Sequence, residues 1–428
     1  MLFNFTLGNY RSFYQRKTLS MEPAAITDFP QNVVHRDRYD FLSTAVIYGA
    51  NSSGKSNLLR AMHTMKKIVL ETFDRRSTSE IPYDPYLLNT SSEDQPTFYE
   101  VEFLAENIKY RYGFEANNEA ILSEWLFETP GRVEKPLFLR VPEGIEVKTR
   151  FAEGKNLEEK TRDNALFIGV VDQFNGRIAG IIMKWFRNLN IISGLSHDNY
   201  RHITFAMLEK QELNQLLTHY FSQIDLGFEH IRVEKKEFNP KELPADLPED
   251  LLKQLVSDLE GKTIVNLRTV HKVYDEDQKL VKEIEFDARR QESSGTNKII
   301  DLSGPIFEAL KQGGVLVIDE LDAKLHPLLT LSIVQLFQNQ DINQAGAQLI
   351  FATHDTKILS ICDLRRDQIY FVEKNQVGAS DLYSLVEYTK EGKVRKDRSF
   401  EKDYINGRYG AIPYFGTFEP LLEKWLEK

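Results

Sequence analysis

The sequence has one cysteine and no long apolar run, and both absences narrow the class of protein. Among its 428 residues the single cysteine, Cys362, leaves no disulfide framework, which is typical of a protein in a reducing cytosol. The longest apolar stretches, such as residues 315–318, are far too short to cross a bilayer. The first residues also lack the basic region and the apolar core of a signal peptide. We therefore expect a cytoplasmic protein with no membrane partner.

An excess of positive charge is absent as well. The formal net charge is -10 at pH 7, which argues against a surface coated with basic residues for nucleic acid but leaves room for a local basic groove. Clustered cysteine and histidine ligands for a metal are also missing. The length is sufficient for two or three domains with an ample core.

What the sequence does contain is one organising motif, a Gly-x-x-x-x-Gly-Lys-Ser run that ends at Ser56. A β-prone stretch at residues 44–48 precedes the motif and a helical stretch follows it, as a phosphate-binding loop requires. The backbone N–H groups of such a loop point at phosphate oxygens, Lys55 reaches the β- and γ-phosphates, and Ser56 ligates Mg²⁺. The residues expected to contact the nucleotide are Gly49, Asn51, Ser52, Ser53, Gly54, Lys55, Ser56 and Asn57.

Two later strands end in polar residues that suit the same site. The apolar run of residues 313–318 is followed by Asp319 and Glu320, which indicates a buried parallel strand. Asp319 would complete the Mg²⁺ shell, and Glu320 would orient the attacking water. His354 follows the next apolar strand and would donate a hydrogen bond to the γ-phosphate; a surface or capping histidine is the alternative. Asp322 is either a helix cap or part of a loop at a dimer seam.

A second candidate anion site lies at the start of the helix predicted at residues 297–311. Ser293, Ser294 and Gly295 precede this helix, and small hydroxyl residues at such a place bind anions but also cap helices routinely. One chain cannot easily turn both this segment and the phosphate loop onto one nucleotide. Two chains can do so head to tail with the nucleotide between them, so we expect a homodimer or a higher homo-oligomer.

The spacing of the motifs indicates an interrupted domain. In a simple P-loop domain the acidic strand lies close to the phosphate loop, whereas here it returns only far downstream. Between them, residues 175–188 and 203–221 carry apolar residues at helical spacing. We therefore expect an α/β fold class, with a P-loop NTPase head formed by residues 1–129 and 291–428 and a largely helical domain inserted at residues 130–290.

These motifs resemble the ABC-type ATPase heads of the SMC, RecF and OLD families, and the Asn-Tyr-Arg-Ser-Phe run at residues 9–13 is similar to the opening of the same group. The resemblance is closer to the AAA-type ATP-binding proteins of bacterial abortive-infection systems, of the RloA and AbiL kind. Further segments similar to that family's motifs are residues 292–296, 320–327, 365–369 and 407–413. The resemblance covers residues 1–125 and 285–415.

The resemblance implies an ABC-type ATPase head that binds ATP and Mg²⁺. It implies that Lys55 and Ser56 bind phosphate and Mg²⁺ and that Asp319 completes the metal site. It implies Glu320 as the catalytic carboxylate and His354 as the switch histidine. It also implies that Ser293 and Gly295, with Ser294 between them, contact the γ-phosphate of the opposite protomer. Two segments depart from the pattern. The signature segment begins Glu-Ser-Ser-Gly rather than Leu-Ser-Gly-Gly, and residues 85–88, where a glutamine loop would lie, contain no glutamine.

From the resemblance we expect an ATPase, converting ATP and water to ADP and phosphate, that senses phage infection through DNA or a phage protein and controls a separate effector. The expected effector is a toxin or a Toprim-like nuclease encoded nearby, because no Asp-x-Asp pair follows His354 and too few residues remain for a nuclease domain. The alternatives are a RecF- or OLD-like DNA-binding repair ATPase and a nucleotide-dependent scaffold with negligible turnover. The charge-dense segment 393–402 is either a solvated surface or a docking site for an acidic partner or nucleic acid, and an amphipathic helix is expected around residues 421–426.

Overall fold

The computed structural model describes residues 1–72, 74–240, 248, 250, 253, 256–258, 261, 263–388 and 398–413. The terminal helix expected around residues 421–426 lies outside the described residues, as do residues 393–397 of the charge-dense segment 393–402. No helix within the described residues combines the length and the apolar character needed to span a bilayer.

Strands and α-helices account for most of the regular structure in the described chain. The strands are β1 (Leu2–Gly8), β2 (Lys17–Ser20), β3 (Val33–Arg36), β4 (Tyr39–Leu42), β5 (Thr44–Tyr48), β6 (Thr97–Ala105), β7 (Ile108–Ala116), β8 (Ile121–Thr129), β9 (Lys135–Val141), β10 (Gly144–Val147), β11 (Leu189–Ser193), β12 (His230–Glu237), β13 (Thr263–Tyr274), β14 (Leu280–Asp287), β15 (Val315–Asp319), β16 (Gln348–Ala352), β17 (Ile369–Lys374) and β18 (Ser380–Ser384). The α-helices are α1 (Lys55–Leu70), α2 (Phe167–Gln173), α3 (Arg177–Arg187), α4 (Arg201–Leu208), α5 (Gln211–Gln223), α6 (Ala288–Gln291), α7 (Ser294–Gln312), α8 (Pro327–Gln338), α9 (Ile358–Ile361) and α10 (Phe400–Ile405).

Backbone contacts divide the chain into two compact units. The first contains Met1–Leu195, Ala309–Ala323 and Ile333–Lys428. The second contains Ser196–Glu308 and Lys324–Ser332. The chain therefore leaves the first unit near residue 195, well after the boundary at residue 129 that the motif spacing suggested.

A six-stranded sheet in the first unit carries the phosphate-loop strand. Its order is β11–β15–β16–β5–β17–β18, and every pairing is parallel except that of β17 with β18. All residues of β5 and β16 are buried, as expected for strands covered on both faces. The carboxyl ends of β11, β15, β16 and β5 consequently lie along one edge of the sheet, which confirms the predicted α/β P-loop fold.

A seven-stranded antiparallel sheet forms the other layer of the first unit. Its order is β10–β9–β8–β7–β6–β1–β2, and β6 and β7 form a hairpin within it. Helix α3 packs against this sheet, where the ring of Trp185 stacks on Phe103 with centroids 4.1 Å apart. The apolar spacing that predicted a helix at residues 175–188 is therefore confirmed.

The segment predicted as a largely helical insertion contains strands as well as helices. Strands β9 and β10 extend the antiparallel sheet of the first unit, and β11 forms an edge of the six-stranded sheet. In the second unit, helices α4 and α5 accompany an antiparallel sheet with the order β12–β13–β14. The expectation of a mainly helical insertion is thus wrong, because the described part of residues 130–290 contains the strands β9 to β14 as well as the helices α2 to α5.

A buried glutamine joins the two sheets of the first unit. Gln348, the first residue of β16, is fully buried. Its Oε1 accepts the N–H of Leu2 at 2.6 Å, and its Nε2 donates to the carbonyl oxygens of Leu2 at 3.0 Å and Leu42 at 3.2 Å. One side-chain amide therefore satisfies backbone groups of β1 and β4 that have no water beside them.

Replacing this amide by an apolar side chain of similar size should destabilise the first unit. We expect Gln348→Leu to lower the free energy of unfolding by about 3 kcal/mol, because three buried backbone groups lose their partner. Urea unfolding followed by tryptophan fluorescence measures the change. The matched control is Gln344→Leu, since Gln344 is exposed and bonds only to the carbonyl of Asp341, and it should stay within about 0.5 kcal/mol of the parent. Equal effects of the two changes would contradict the assigned role.

Candidate functional site

The phosphate loop joins the fully buried strand β5 to helix α1, as its sequence predicted. Two of its residues have positive φ angles, 63° at Ser52 and 117° at Gly54. A Cβ atom at Gly54 would also lie 2.8 Å from Ser12 Oγ, so only glycine fits there. The strained loop is therefore held in a curled form by groups that surround it.

Those groups come from both ends of the chain. Ser380, the first residue of β18, donates its hydroxyl to the carbonyl of Ser53 at 2.6 Å. Its own N–H donates to the carbonyl of Ser12 at 2.6 Å, and Asn57 Nδ2 donates to Ser12 Oγ at 2.9 Å. Ser12 belongs to the Asn-Tyr-Arg-Ser-Phe run at residues 9–13, so part of that motif supports the phosphate loop through hydrogen bonds to Asn57 and Ser380. No local signal in the sequence pointed to Ser380.

Lys55 lies at the centre of the loop with only 5% of its surface exposed. Its ammonium donates to the carbonyl oxygens of Gly49 at 2.7 Å and Ala50 at 3.2 Å. Burial lowers the pKa of Lys55 to about 8, while the charges of Asp319 and Glu320 act in the opposite direction. The ammonium is therefore anchored by neutral carbonyls at the position from which it can reach a bound phosphate.

A cavity of about 830 Å³ opens beside the loop. It is lined by Asn51, Ser52, Ser53, Gly54, Lys55, Ser56, Asn57, Glu320, His354 and Lys374. The structure thus brings the predicted phosphate loop, acidic strand end and histidine to one cavity. Lys374, the last residue of β17, was not predicted, because nothing in the sequence shows that β17 pairs with β5.

Asp319 ends strand β15 beside this cavity. Its Oδ1 atom is buried and has no hydrogen-bond partner among the described residues. A buried carboxylate oxygen without a partner is costly unless a cation occupies the site. Carboxylate and hydroxyl oxygens suit Mg²⁺, so Asp319 and Ser56 fit the predicted metal site.

Gly194 supports the acidic strand end and was missed by sequence reasoning. It follows β11, whose last residue, Ser193, pairs with Asp319. The N–H of Gly194 donates to the carbonyl of Asp319 at 2.7 Å, and a Cβ atom on Gly194 would lie 2.8 Å from the same oxygen. The next residue, Glu320, has a φ of 55°, which is unusual for a residue other than glycine. The sequence signal that could have identified Gly194 is a glycine directly after a β-prone run.

His354 is exposed at the end of β16, where its predicted sensing role would place it. Partial burial and the charge of Lys55 lower the pKa of His354, so its ring is neutral at pH 7. Its backbone N–H donates to the carboxylate of Asp322, with distances of 3.4 and 3.3 Å to the two oxygens. Asp322 therefore contacts the histidine loop and is not a helix cap. At the start of α8, the ring of His326 accepts the N–H of Leu328 at 3.2 Å.

The signature segment lies in the second unit, at the start of α7. Ser293 Oγ accepts the N–H of Thr296 at 3.0 Å and lies 2.9 Å from Thr296 Oγ1, so this hydroxyl caps the helix. The next residue, Ser294, is exposed and Gly295 is half-buried. Ser293 therefore caps the helix, and a contact from Ser293, Ser294 and Gly295 to a second copy's nucleotide stays a prediction.

Comparisons with known proteins give one family match. A family profile described as "AAA domain, putative AbiEii toxin, Type IV TA system" matches residues 45–360. A search of curated proteins found no match. Two solved structures of the recombination mediator protein RecF in the RecFOR pathway are similar to this chain. The structure with ATPrS has 13% sequence identity and a TM-score of 0.34, and the match covers 89% of this chain and 98% of that chain. The structure with ATP has 12% identity and a TM-score of 0.33, and the match covers 90% of this chain and 99% of that chain. At these TM-scores the two structures carry no argument about this chain.

The close fit of Gly194 against the acidic strand end predicts a specific sensitivity. Gly194→Ala should displace the carbonyl of Asp319 and weaken Mg²⁺-dependent binding of a fluorescent ATP analogue about tenfold, because relieving such a clash costs one to a few kcal/mol. The matched control is Gly131→Ala, since a Cβ atom at Gly131 meets nothing within 4 Å. Unchanged binding by Gly194→Ala, with the fold intact by circular dichroism, would contradict the assigned support.

Proposed function

Because this chain belongs to the AAA-domain family whose profile it matches, we propose that it binds and hydrolyses ATP as the regulatory subunit of a bacterial anti-phage system. The observation that carries the ATPase part is the single cavity shared by Lys55, Glu320 and His354. Lys55 contacts the β- and γ-phosphates, and Glu320 orients a water molecule for attack on the γ-phosphorus. The bond between that phosphorus and the bridging oxygen breaks, and ADP and phosphate leave.

Mg²⁺ is the metal that this chemistry takes. Ser56 and Asp319 supply the oxygen ligands, and the buried Oδ1 of Asp319 supports this assignment. Held by these residues, the ion would supply positive charge beside the bound phosphates. His354, neutral at pH 7, contacts the γ-phosphate through its ring and loses that contact after hydrolysis.

A second copy of the chain completes the site. The exposed Ser294 and the N-terminus of α7 present hydroxyl and backbone N–H groups suited to a phosphate. In this proposal Ser294 and Gly295 of one copy close over the triphosphate held by Lys55 of the other, head to tail. ATP then joins two protomers and hydrolysis releases them.

The defence role rests on two supports. The description of the family includes a putative toxin and a type IV toxin–antitoxin system, which favours a role in such a system. The segments at residues 292–296 and 320–327 resemble motifs of ATP-binding proteins of abortive-infection systems, which favours control of an effector. The ATPase would respond to a phage-derived trigger and release or activate a toxin or a Toprim-like nuclease.

Removing the proposed catalytic carboxylate should separate binding from turnover. We expect Glu320→Gln to lower phosphate release about a hundredfold, because the water loses the group that orients it, while ATP stays bound and holds two protomers together. Phosphate release and light scattering with ATP and Mg²⁺ measure the two effects. Glu119→Gln is the matched control, since Glu119 is exposed in a hairpin turn of the first unit. Unchanged turnover in Glu320→Gln would favour the scaffold alternative.

The partner can be tested with the chain in its native neighbourhood. We expect the chain, produced together with the proteins encoded beside it, to form a complex whose mass changes when ATP and Mg²⁺ are added and reverts when EDTA removes the metal. Native mass spectrometry measures this. DNA binding that weakens steeply with salt and stimulates turnover, with no protein partner, would instead support the RecF- or OLD-like repair ATPase.

A further inference from the structure

The signature segment is preceded by an acidic residue with an unusual environment. Glu292 has a side chain only 8% exposed, although it lies directly before the exposed Ser293 and Ser294. Its Oε1 accepts the hydroxyl of Thr269 at 2.5 Å and lies 2.8 Å from Nε2 of His271. Because an ionised carboxylate only accepts hydrogen bonds, the histidine must donate from Nε2. We call Glu292, Thr269 and His271 the carboxylate clamp.

The clamp attaches the signature segment to β13, the central strand of the three-stranded sheet in the second unit. Thr269 and His271 project from the same face of β13, which is hydrogen-bonded on one side to β12 and on the other to β14. The ring of His271 also packs on Phe286 of β14, with centroids 4.3 Å apart. The donors of the clamp therefore have little freedom to follow Glu292 if it moves alone.

A second set of bonds holds the backbone of the same segment to helix α7. Asn297 Nδ2 donates to the carbonyl oxygens of Ala288 at 2.7 Å, Ser293 at 3.2 Å and Glu292 at 3.3 Å. Asn297 Oδ1 in turn accepts from Arg201 at 2.7 Å. The start of the signature segment is thus fixed on one side by the sheet and on the other by the helix.

The clamp also accounts for a departure in the sequence. Where the resembled pattern begins with leucine, this chain has Glu292. A leucine holds its place by apolar packing, which has no directional preference, whereas a carboxylate with two donors fixes an orientation. The largely buried acid is costly without its donors, so its presence here indicates a role in orientation.

We propose that Glu292 is a positioning residue that sets the orientation of the signature segment through Thr269 and His271. The inference rests on the proposed function, in which Ser294 and Gly295 of one copy close over ATP held by another. The sheet of the second unit and the signature segment then move as one body. A displacement of that sheet in one protomer would then move the signature segment against the nucleotide bound by the opposite protomer.

The test uses the ATP-trapped Glu320→Gln protein as its parent and adds one change at a time. We expect Glu292→Ala to weaken ATP-dependent self-association about tenfold, because two hydrogen bonds to a charged group are lost. Glu292→Gln keeps an acceptor oxygen for both donors and should restore association to within about threefold of the parent. Analytical ultracentrifugation with ATP and Mg²⁺ measures association.

Two further measurements separate positioning from a general loss of structure. Affinity for a fluorescent ATP analogue, measured on dilute monomer, should be unchanged in Glu292→Ala because the phosphate loop is not altered. Thr269→Val keeps the shape of the side chain and removes one donor, so it should weaken association in the same direction. Glu285→Ala is the matched control, since Glu285 lies on the same sheet with a half-exposed side chain that pairs with Arg232.

The outcomes distinguish the two proposals. If the Glu320→Gln parent does not self-associate when ATP is present, the proposed function is wrong, and this inference is overturned with it. If the parent associates and Glu292→Ala and Thr269→Val associate equally well, only the inference is overturned. A loss in Glu292→Ala that Glu292→Gln does not restore would also overturn it.

Discussion

The candidate site depends on the parallel register of four neighbouring strands. Ser193 pairs with Asp319, Ile318 with Phe351, and Ala352 with Ile47, so four strand ends reach the same edge together. A shift of one residue in any of these strands would exchange the side chains packed on its two buried faces and move its end out of line, so close packing holds the register. The distances at the site follow from this pairing more than from any local contact.

Local strain occurs at that edge, and residues far along the chain support the strained turns. Positive φ angles occur at Ser52, Gly54 and Glu320, where the loops turn sharply after buried strands. Hydrogen bonds from Ser380 and Gly194 hold these turns, one behind the phosphate loop and one beside the acidic strand end. The unstrained sheet thus provides the rigidity that the strained turns need.

The parts of the site that sequence could predict are those with local signals. The phosphate loop, Glu320 and His354 each follow an apolar run directly, so their positions at strand ends could be read without knowing the fold. Ser380 and Lys374 could not, because their place depends on which strands pair with β5, and pairing is a long-range property. The same reason explains the mixed insertion: helical periodicity is visible within residues 203–221, whereas short strands such as β11 are recognised only by their partners.

The charges around the phosphate loop favour joint binding of metal and nucleotide in the proposed function. Asp319, Glu320 and Asp322 all act on Lys55, and Lys374 is the further cation that lines the cavity among the described residues. Three carboxylates against two ammonium groups leave the cavity negative, which opposes a polyanionic triphosphate on its own. In the proposed function, Asp319 would hold Mg²⁺, whose charge would offset that excess, and Lys55 would exchange the neutral carbonyls of the loop for charged phosphate oxygens, which form the stronger hydrogen bonds. The acids proposed for hydrolysis would then also take part in binding.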